Sequence, residues 1–225
     1  MRSTAALTFA ALALVIAGCG GDDDNATEPD TTVAASPSPP GECPTVAAPD
    51  AREDGGETAP TERLDPEQTW TLTFETSCGS FVVTLDTETA PATAASLVSL
   101  ARDGFFDNTI FHRIVPGFVI QGGDPTQSGG GGPGYSTVDQ PPADARYTKG
   151  IVAMAKTETE PAGTAGSQFF VVTGDDVGLP PDYAVVGRVT DGLDVVELIG
   201  AQGDPATEQP LQPIVVESVT VDSSP

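Results

Sequence analysis

The sequence predicts a mainly β domain, a closed antiparallel eight-stranded barrel capped by two helices. Three observations carry that expectation. Short apolar runs alternate with polar residues at the period of a half-buried strand. Gly- and Pro-rich breaks separate them, as tight turns require. Two windows alone show helical spacing, enough to cover the ends of a closed sheet but not both of its faces.

The elements follow in order. Trp70, Leu72 and Phe74 alternate with polar residues, Ser77-Cys78-Gly79 breaks the run, and Phe81, Val83 and Leu85 complete a hairpin. Thr89-Ala90-Pro91 is a helix-start signal with Pro in the first turn. Ala94, Leu97, Val98 and Ala101 then repeat at helical spacing, and Gly104 stands where a stop belongs. Further short strands are predicted over Ile110–Ile114, Phe118–Gln121, Ile151–Ala155, Phe169–Val172 and Ala184–Val189. A second helix fits Leu193–Ile199, and Ile214, Val216, Val219 and Val221 mark a closing strand. The folded domain is thus expected over residues 69–225.

What precedes it has another character. Arg2 and the apolar run Ala5–Ala17, too short to span a bilayer comfortably, read as a leader over residues 1–18. Ile16-Ala17-Gly18-Cys19 resembles the lipobox of bacterial lipoproteins, which implies cleavage before Cys19 and lipidation of its thiol. An ordinary secretory signal is the alternative; either reading puts the mature protein outside the cytoplasm, and the first anchors it to the cell membrane. Residues 19–68 are rich in Asp, Glu, Thr, Ala and Pro without apolar periodicity. They bury too little to offset the entropy of ordering, so a disordered tether is expected, with a reach of about 40 Å. The net charge of −24 argues against nucleic acid and against an anionic membrane surface as partners. With Cys19 lipidated, Cys43 and Cys78 remain as an even pair in an oxidising compartment, a possible disulfide. No metal is expected, since CxxC is absent and His112 is the only histidine.

The most informative segment is Phe111–Asp124, two apolar strands joined at Pro116-Gly117. It spreads one guanidinium (Arg113), one aromatic face (Phe118) and one amide (Gln121) toward a common groove. The segment resembles the signature of the cyclophilin-type peptidyl-prolyl isomerases. Gly150–Lys156, Gly166–Thr173 and Tyr183–Val189 resemble three further blocks of that family in the same order, so the resemblance spans about Thr69–Asp222. It implies a cyclophilin-like barrel, turnover of X–Pro bonds in polypeptides, no cofactor and a monomer. By position it implies catalysis by Arg113 with Gln121 and Phe118. It also implies substrate binding by Val119, Ala155, Lys156, Thr157, Gln168, Phe170, Leu179 and Tyr183, with Ala155–Thr157 acting through main-chain groups. Two departures stand out. The family's ligand-binding tryptophan falls at Gly178, so weak cyclosporin binding is expected, and the Thr157–Ala165 stretch is longer than in compact members.

Rival chemistries fit less well. No GxSxG setting accompanies His112, which reads as structural. Asp124 is expected to brace the loop that follows it. Gly129–Gly134 lacks the Lys-Ser/Thr ending of a phosphate loop and reads as a surface loop bordering the groove. A non-catalytic module holding proline-containing chains is the second reading; a solute-binding lipoprotein would need a longer, two-lobed chain.

Overall fold

In the computed structural model, which describes residues 41–225, alternation along the first hairpin decides which side chains enter the core. Strand β1 (Thr69–Thr76) turns its Trp70, Leu72 and Phe74 inward, and β2 (Gly79–Leu85) does the same with Phe81, Val83 and Leu85. Phe74 and Phe81 are cross-strand partners and stack with centroids 4.8 Å apart. Phe169 is the hub of the aromatic core, with Phe74, Phe106 and Phe111 at 5.2, 6.0 and 6.1 Å.

Helix α1 (Pro91–Arg102) begins without a capping side chain of its own. Asp139 supplies the cap from a distant loop: its carboxylate accepts from the Thr93 N–H and hydroxyl, both at 2.7 Å. That places a negative charge on the helix N-terminus, where unpaired N–H groups favour it. At the other end Phe105 N–H reaches the Leu100 carbonyl and Gly104 N–H the Ala101 carbonyl, the paired bonds of a Schellman stop.

The remaining strands are β3 (Thr109–Ile110), β4 (Arg113–Val115), β5 (Val119–Gly122), β6 (Thr137–Val138), β7 (Ile151–Met154), β8 (Thr164–Ala165), β9 (Phe169–Val172), β10 (Val185–Asp191) and β11 (Val215–Ser224), with α2 (Leu193–Gly200) before the last. Among the described residues nine of the eleven strands form one antiparallel sheet in the order β3-β11-β1-β2-β10-β7-β9-β5-β4, and β6 pairs with β8 separately. The expected closed eight-stranded barrel is therefore corrected on both counts. The sheet curls, but among the described residues no ladder joins β3 to β4, and it has nine strands. The cause lies at Phe111-His112. Before them the chain pairs with β11, and Phe111 N–H still bonds the Ile214 carbonyl; after them Ile114 N–H bonds the Glu208 carbonyl and the strand pairs with β5. One expected strand becomes the two edges of the sheet.

Cys43 and Cys78 are joined, sulfur to sulfur at 2.09 Å, pinning the tail to the first hairpin. The segment 41–68 departs from the expected tether. It has no regular strand or helix up to Gln68, yet it is hydrogen-bonded to the domain: Arg52 N–H to Pro125 O, Gly55 N–H to Gly132 O, Glu57 N–H to Pro133 O, and Gly132 N–H to the Asp54 carboxylate. Composition speaks against a core of its own there, but not against docking on the domain that follows. The expected leader, the expected lipidation site Cys19 and the tail up to residue 40 lie outside the described residues.

Candidate active site

The β4–β5 hairpin places the first three residues of the site. Its register pairs Arg113 with Gln121, Ile114 with Ile120 and Val115 with Val119. Ile114 and Ile120 are fully buried on the core face, so period-two alternation sends Arg113 and Gln121 to the opposite face together. Phe118 closes the turn beside them, with the guanidinium carbon 6.0 Å from its ring centroid, within range of a cation–π contact. Strand β5 then pairs with β9, bringing Phe170 opposite Gln121, and β7 places Ala153 opposite Phe170.

A second apolar cluster lies on this face: Val119, Tyr147, Ala153, Phe170 and Val172 are buried, with Phe118, Leu179 and Tyr183 packed partly exposed against them. Two hollows open above it. One, of about 180 Å³, is lined by Arg113, Phe118, Val119, Gln121, Ala155, Lys156, Phe170, Leu179 and Tyr183. The other, of about 220 Å³, is walled by Thr157, Glu160, Gln168 and the Gly129–Gly131 loop, and shares Gln121, Ala155 and Lys156 with the first. All eleven groove residues named from sequence thus line one pair of adjoining hollows. A larger depression of about 710 Å³ lies between β2 and β10 around Thr84, Leu85 and Arg188, but no aromatic side chain lines it.

A line of polar contacts runs along the groove floor. Arg113 donates to the Gln121 Oε1 at 3.5 Å, Gln121 Nε2 to the Gln168 Oε1 at 3.0 Å, and Gln168 Nε2 to the carbonyls of Gly129 and Gly131 at 3.0 and 2.9 Å. The glycine loop therefore anchors the amides that orient the guanidinium. Asp124 holds that loop from beneath: fully buried, it accepts from the Thr126 N–H and hydroxyl and from the Gly129 and Gly131 N–H groups. Burial pushes its carboxyl up, but these bonds outweigh it and hold the group below the usual carboxylate range. Gly131 passes so close that a Cβ there would lie 2.3 Å from the Asp124 carboxylate, so only glycine fits.

Lys156 was expected to matter through its main chain, and the structure gives its side chain a further part. It is 3 % exposed, its ammonium 2.6 Å from the Asp182 carboxylate, 3.1 Å from the Glu160 carbonyl and 5.5 Å from the Tyr183 ring centroid. It ties the long 157–163 loop to the pocket rim. The N–H groups of Ala155 and Thr157 are already spent on Gln168 O and the Glu160 carboxylate, which limits what that edge can offer a substrate chain. At Gly178 the backbone φ is +64° and an added Cβ would meet nothing within 4 Å, so the rim is open there.

Four residues of this site escape sequence reasoning. Tyr147 is fully buried under Phe170 and Tyr183, and its hydroxyl donates to the Tyr183 carbonyl at 2.7 Å while accepting from the Tyr183 N–H. Asp182 and Glu160 hold Lys156. Glu208 accepts from the Arg113 Nε at 2.7 Å across 95 residues of chain. None stands in an apolar run, and no signal short of the fold points to them.

Residues 71–221 match the family described as cyclophilin type peptidyl-prolyl cis-trans isomerase/CLD. The chain belongs to that family. Among its cyclophilin relatives, the peptidyl-prolyl cis-trans isomerase A of Mycobacterium tuberculosis is 35% identical over 174 residues, covering 69% of this chain and 94% of the relative. The isomerase ppi1 of Schizosaccharomyces pombe is 36% identical over 147 residues, 64% of this chain and 93% of its own. A cyclophilin of Cryptosporidium parvum, crystallised in the presence of the dipeptide Ala-Pro, superposes with a TM-score of 0.63 at 28% identity and covers 68% of this chain and 99% of its own. This cyclophilin is accordingly a peptidyl-prolyl cis-trans isomerase, a mainly β fold with a curled half-barrel sheet and two helices.

Proposed function

We propose that this cyclophilin isomerises X–Pro bonds of secreted or cell-envelope proteins, with Arg113 stabilising the twisted prolyl amide. Rotation about the partial double bond meets a barrier of ~18–20 kcal/mol and takes tens to hundreds of seconds unaided, by order of magnitude. No covalent bond breaks, so the reaction asks for no nucleophile, proton relay or metal. At the top of the barrier resonance is lost and the proline nitrogen carries a free lone pair. A donor that meets this lone pair, and not the planar amide, lowers the barrier.

The observation that carries the reading is a permanently charged guanidinium set in the wall of a hollow that Phe118, Val119, Phe170 and Leu179 also line. Phe118, Val119, Phe170 and Leu179 offer the pyrrolidine ring its contact surface. Gln121 receives one Arg113 N–H and leaves others to face the substrate. With the Ala155 and Thr157 N–H groups engaged, main-chain pairing with the substrate falls to the Lys156 peptide between them. The export reading rests on the leader, the Ile16–Cys19 motif and the joined Cys43–Cys78 pair, which suits an oxidising compartment.

An NMR exchange assay on an X–Pro peptide tests the mechanism. Arg113→Ala is expected to lower kcat/KM by about 100-fold with the fold intact; full retention of turnover rejects the role of Arg113. For the anchor, Cys19→Ser should release the protein from the membrane fraction and abolish fatty-acid labelling.

A further inference from the structure

Arg113 is held at both ends of its guanidinium. Gln121 and Phe118 lie on the groove side, whereas Glu208 takes the Nε from the far side at 2.7 Å. Neither side chain of this ion pair is fully exposed, at 34% for Arg113 and 48% for Glu208. A carboxylate oxygen on Nε grips the fork at its base and leaves terminal N–H groups free for other acceptors.

Glu208 sits on a rigid mount. Its N–H donates to the Asp204 carbonyl at 2.8 Å, its carbonyl accepts from Ile114 N–H in β4 at 2.9 Å, and Asp204 N–H bonds the Gln209 carbonyl at 2.9 Å. Gly203 and Pro210 bridge across the base of this turn. The turn therefore docks beside the residue next to Arg113 in the chain. Glu208 itself has φ +59°, a left-handed backbone that a long side chain seldom adopts and that glycine would adopt more readily. Stability alone would favour glycine at this position.

We propose that Glu208 is the positioning residue for the reaction: its carboxylate fixes the Arg113 guanidinium in the orientation that meets the twisted amide. This rests on the reading of Arg113 as the catalytic donor. Freed of Glu208, the side chain keeps its charge but samples rotamers that turn the fork away from the hollow, and small losses of alignment are expensive in catalysis.

Four variants and three readouts test it on the full chain. Glu208→Ala and Glu208→Gly should each lower kcat/KM by about ten-fold, while the dissociation constant of an X–Pro peptide stays within about two-fold, because the pocket walls are untouched. Glu208→Gly should unfold no more easily than the wild type, since it relieves the φ +59° backbone. Glu208→Gln, which keeps an acceptor for Nε, should restore most of the activity. Wild-type or raised turnover in the Ala and Gly variants overturns the proposal, the latter marking Glu208 as a competitor for Arg113. So does a loss that follows falling stability in step, or a Gln variant as impaired as Ala. Arg113→Ala in the same assay separates the two claims: if it is inactive while the Glu208 variants are not, only the positioning role fails.

Discussion

His112 shows how a single residue can set the pH response of the whole domain. It separates the two edge strands, and neither of its ring nitrogens finds a hydrogen-bond partner among the described residues although both are out of solvent. Burial pulls its pKa below 6.5, the Asp124 charge works against that, and the Arg113 charge adds to it. The folded state therefore resists protonation more than the unfolded state does. Stability from this source is fully present above about pH 6.5 and is lost as pH falls from there toward the lowered folded value. The carboxylates held low, Asp124, Glu160 and Asp176, act only below their own ordinary values of 3.8 to 4.5. His112 is the only histidine, so between pH 5 and 6.5 the slope is its own. Denaturation midpoints across that interval should decline with acid, by at most about 1.4 kcal/mol per pH unit for one proton. In His112→Phe the decline should vanish; an unchanged slope would show that another group causes it. At this same scale Arg113, Phe118 and Gln121 were legible because they share one short segment around a Pro-Gly turn, and that segment resembles the family signature. Glu208, Tyr147 and Asp182 were not, because they reach the groove only through long-range packing.

For the individual elements, the informative case is α1, whose start was readable from Pro91 and whose cap was not. The Thr89-Ala90-Pro91 start signal leaves Ala90, which has no capping side chain, at the N-cap position, and the capping oxygen comes from Asp139. That bond also fastens the helix to the segment leading out of the glycine loop, where Thr137 and Thr93 hydroxyls meet at 2.9 Å. Asp139→Ala should cost about 1 kcal/mol of unfolding free energy, with an upper range near 2 because Thr93 is left buried with fewer partners. Urea denaturation measures it, and Asp139→Asn, which keeps an acceptor, should recover part of the loss. No change in the Ala variant would mean that α1 is capped by water as well as by Asp139. The strand predicted over Ile110–Ile114 fails for a related reason: alternation reports which face a side chain takes, not which neighbour its backbone pairs with. A change of partner at Phe111-His112 leaves the pattern intact and opens the barrel.

Across the whole molecule, the segment 41–68 has a part that composition conceals. It lacks the apolar residues for a core, but its backbone binds the 125–134 stretch through Arg52, Gly55 and Glu57, and its Asp54 caps Gly132. That stretch in turn supplies the two carbonyls that hold Gln168, and through Gln121 it braces Arg113. The bond between Cys43 and Cys78, 35 residues apart, fastens the far end of the segment to the first hairpin. Closing a loop of that length removes enough unfolded-state entropy to contribute about 3–4 kcal/mol. Replacing both cysteines by alanine should therefore lower the urea midpoint by a corresponding amount. Native-state hydrogen exchange adds a sharper reading, since local openings follow local restraint. The amides of Gly129, Gly131 and Gly132 should lose protection by more than those of β1, which the sheet holds on both sides. Equal losses throughout would mean that the bond stabilises the fold as a whole and that the groove does not depend on the segment it anchors.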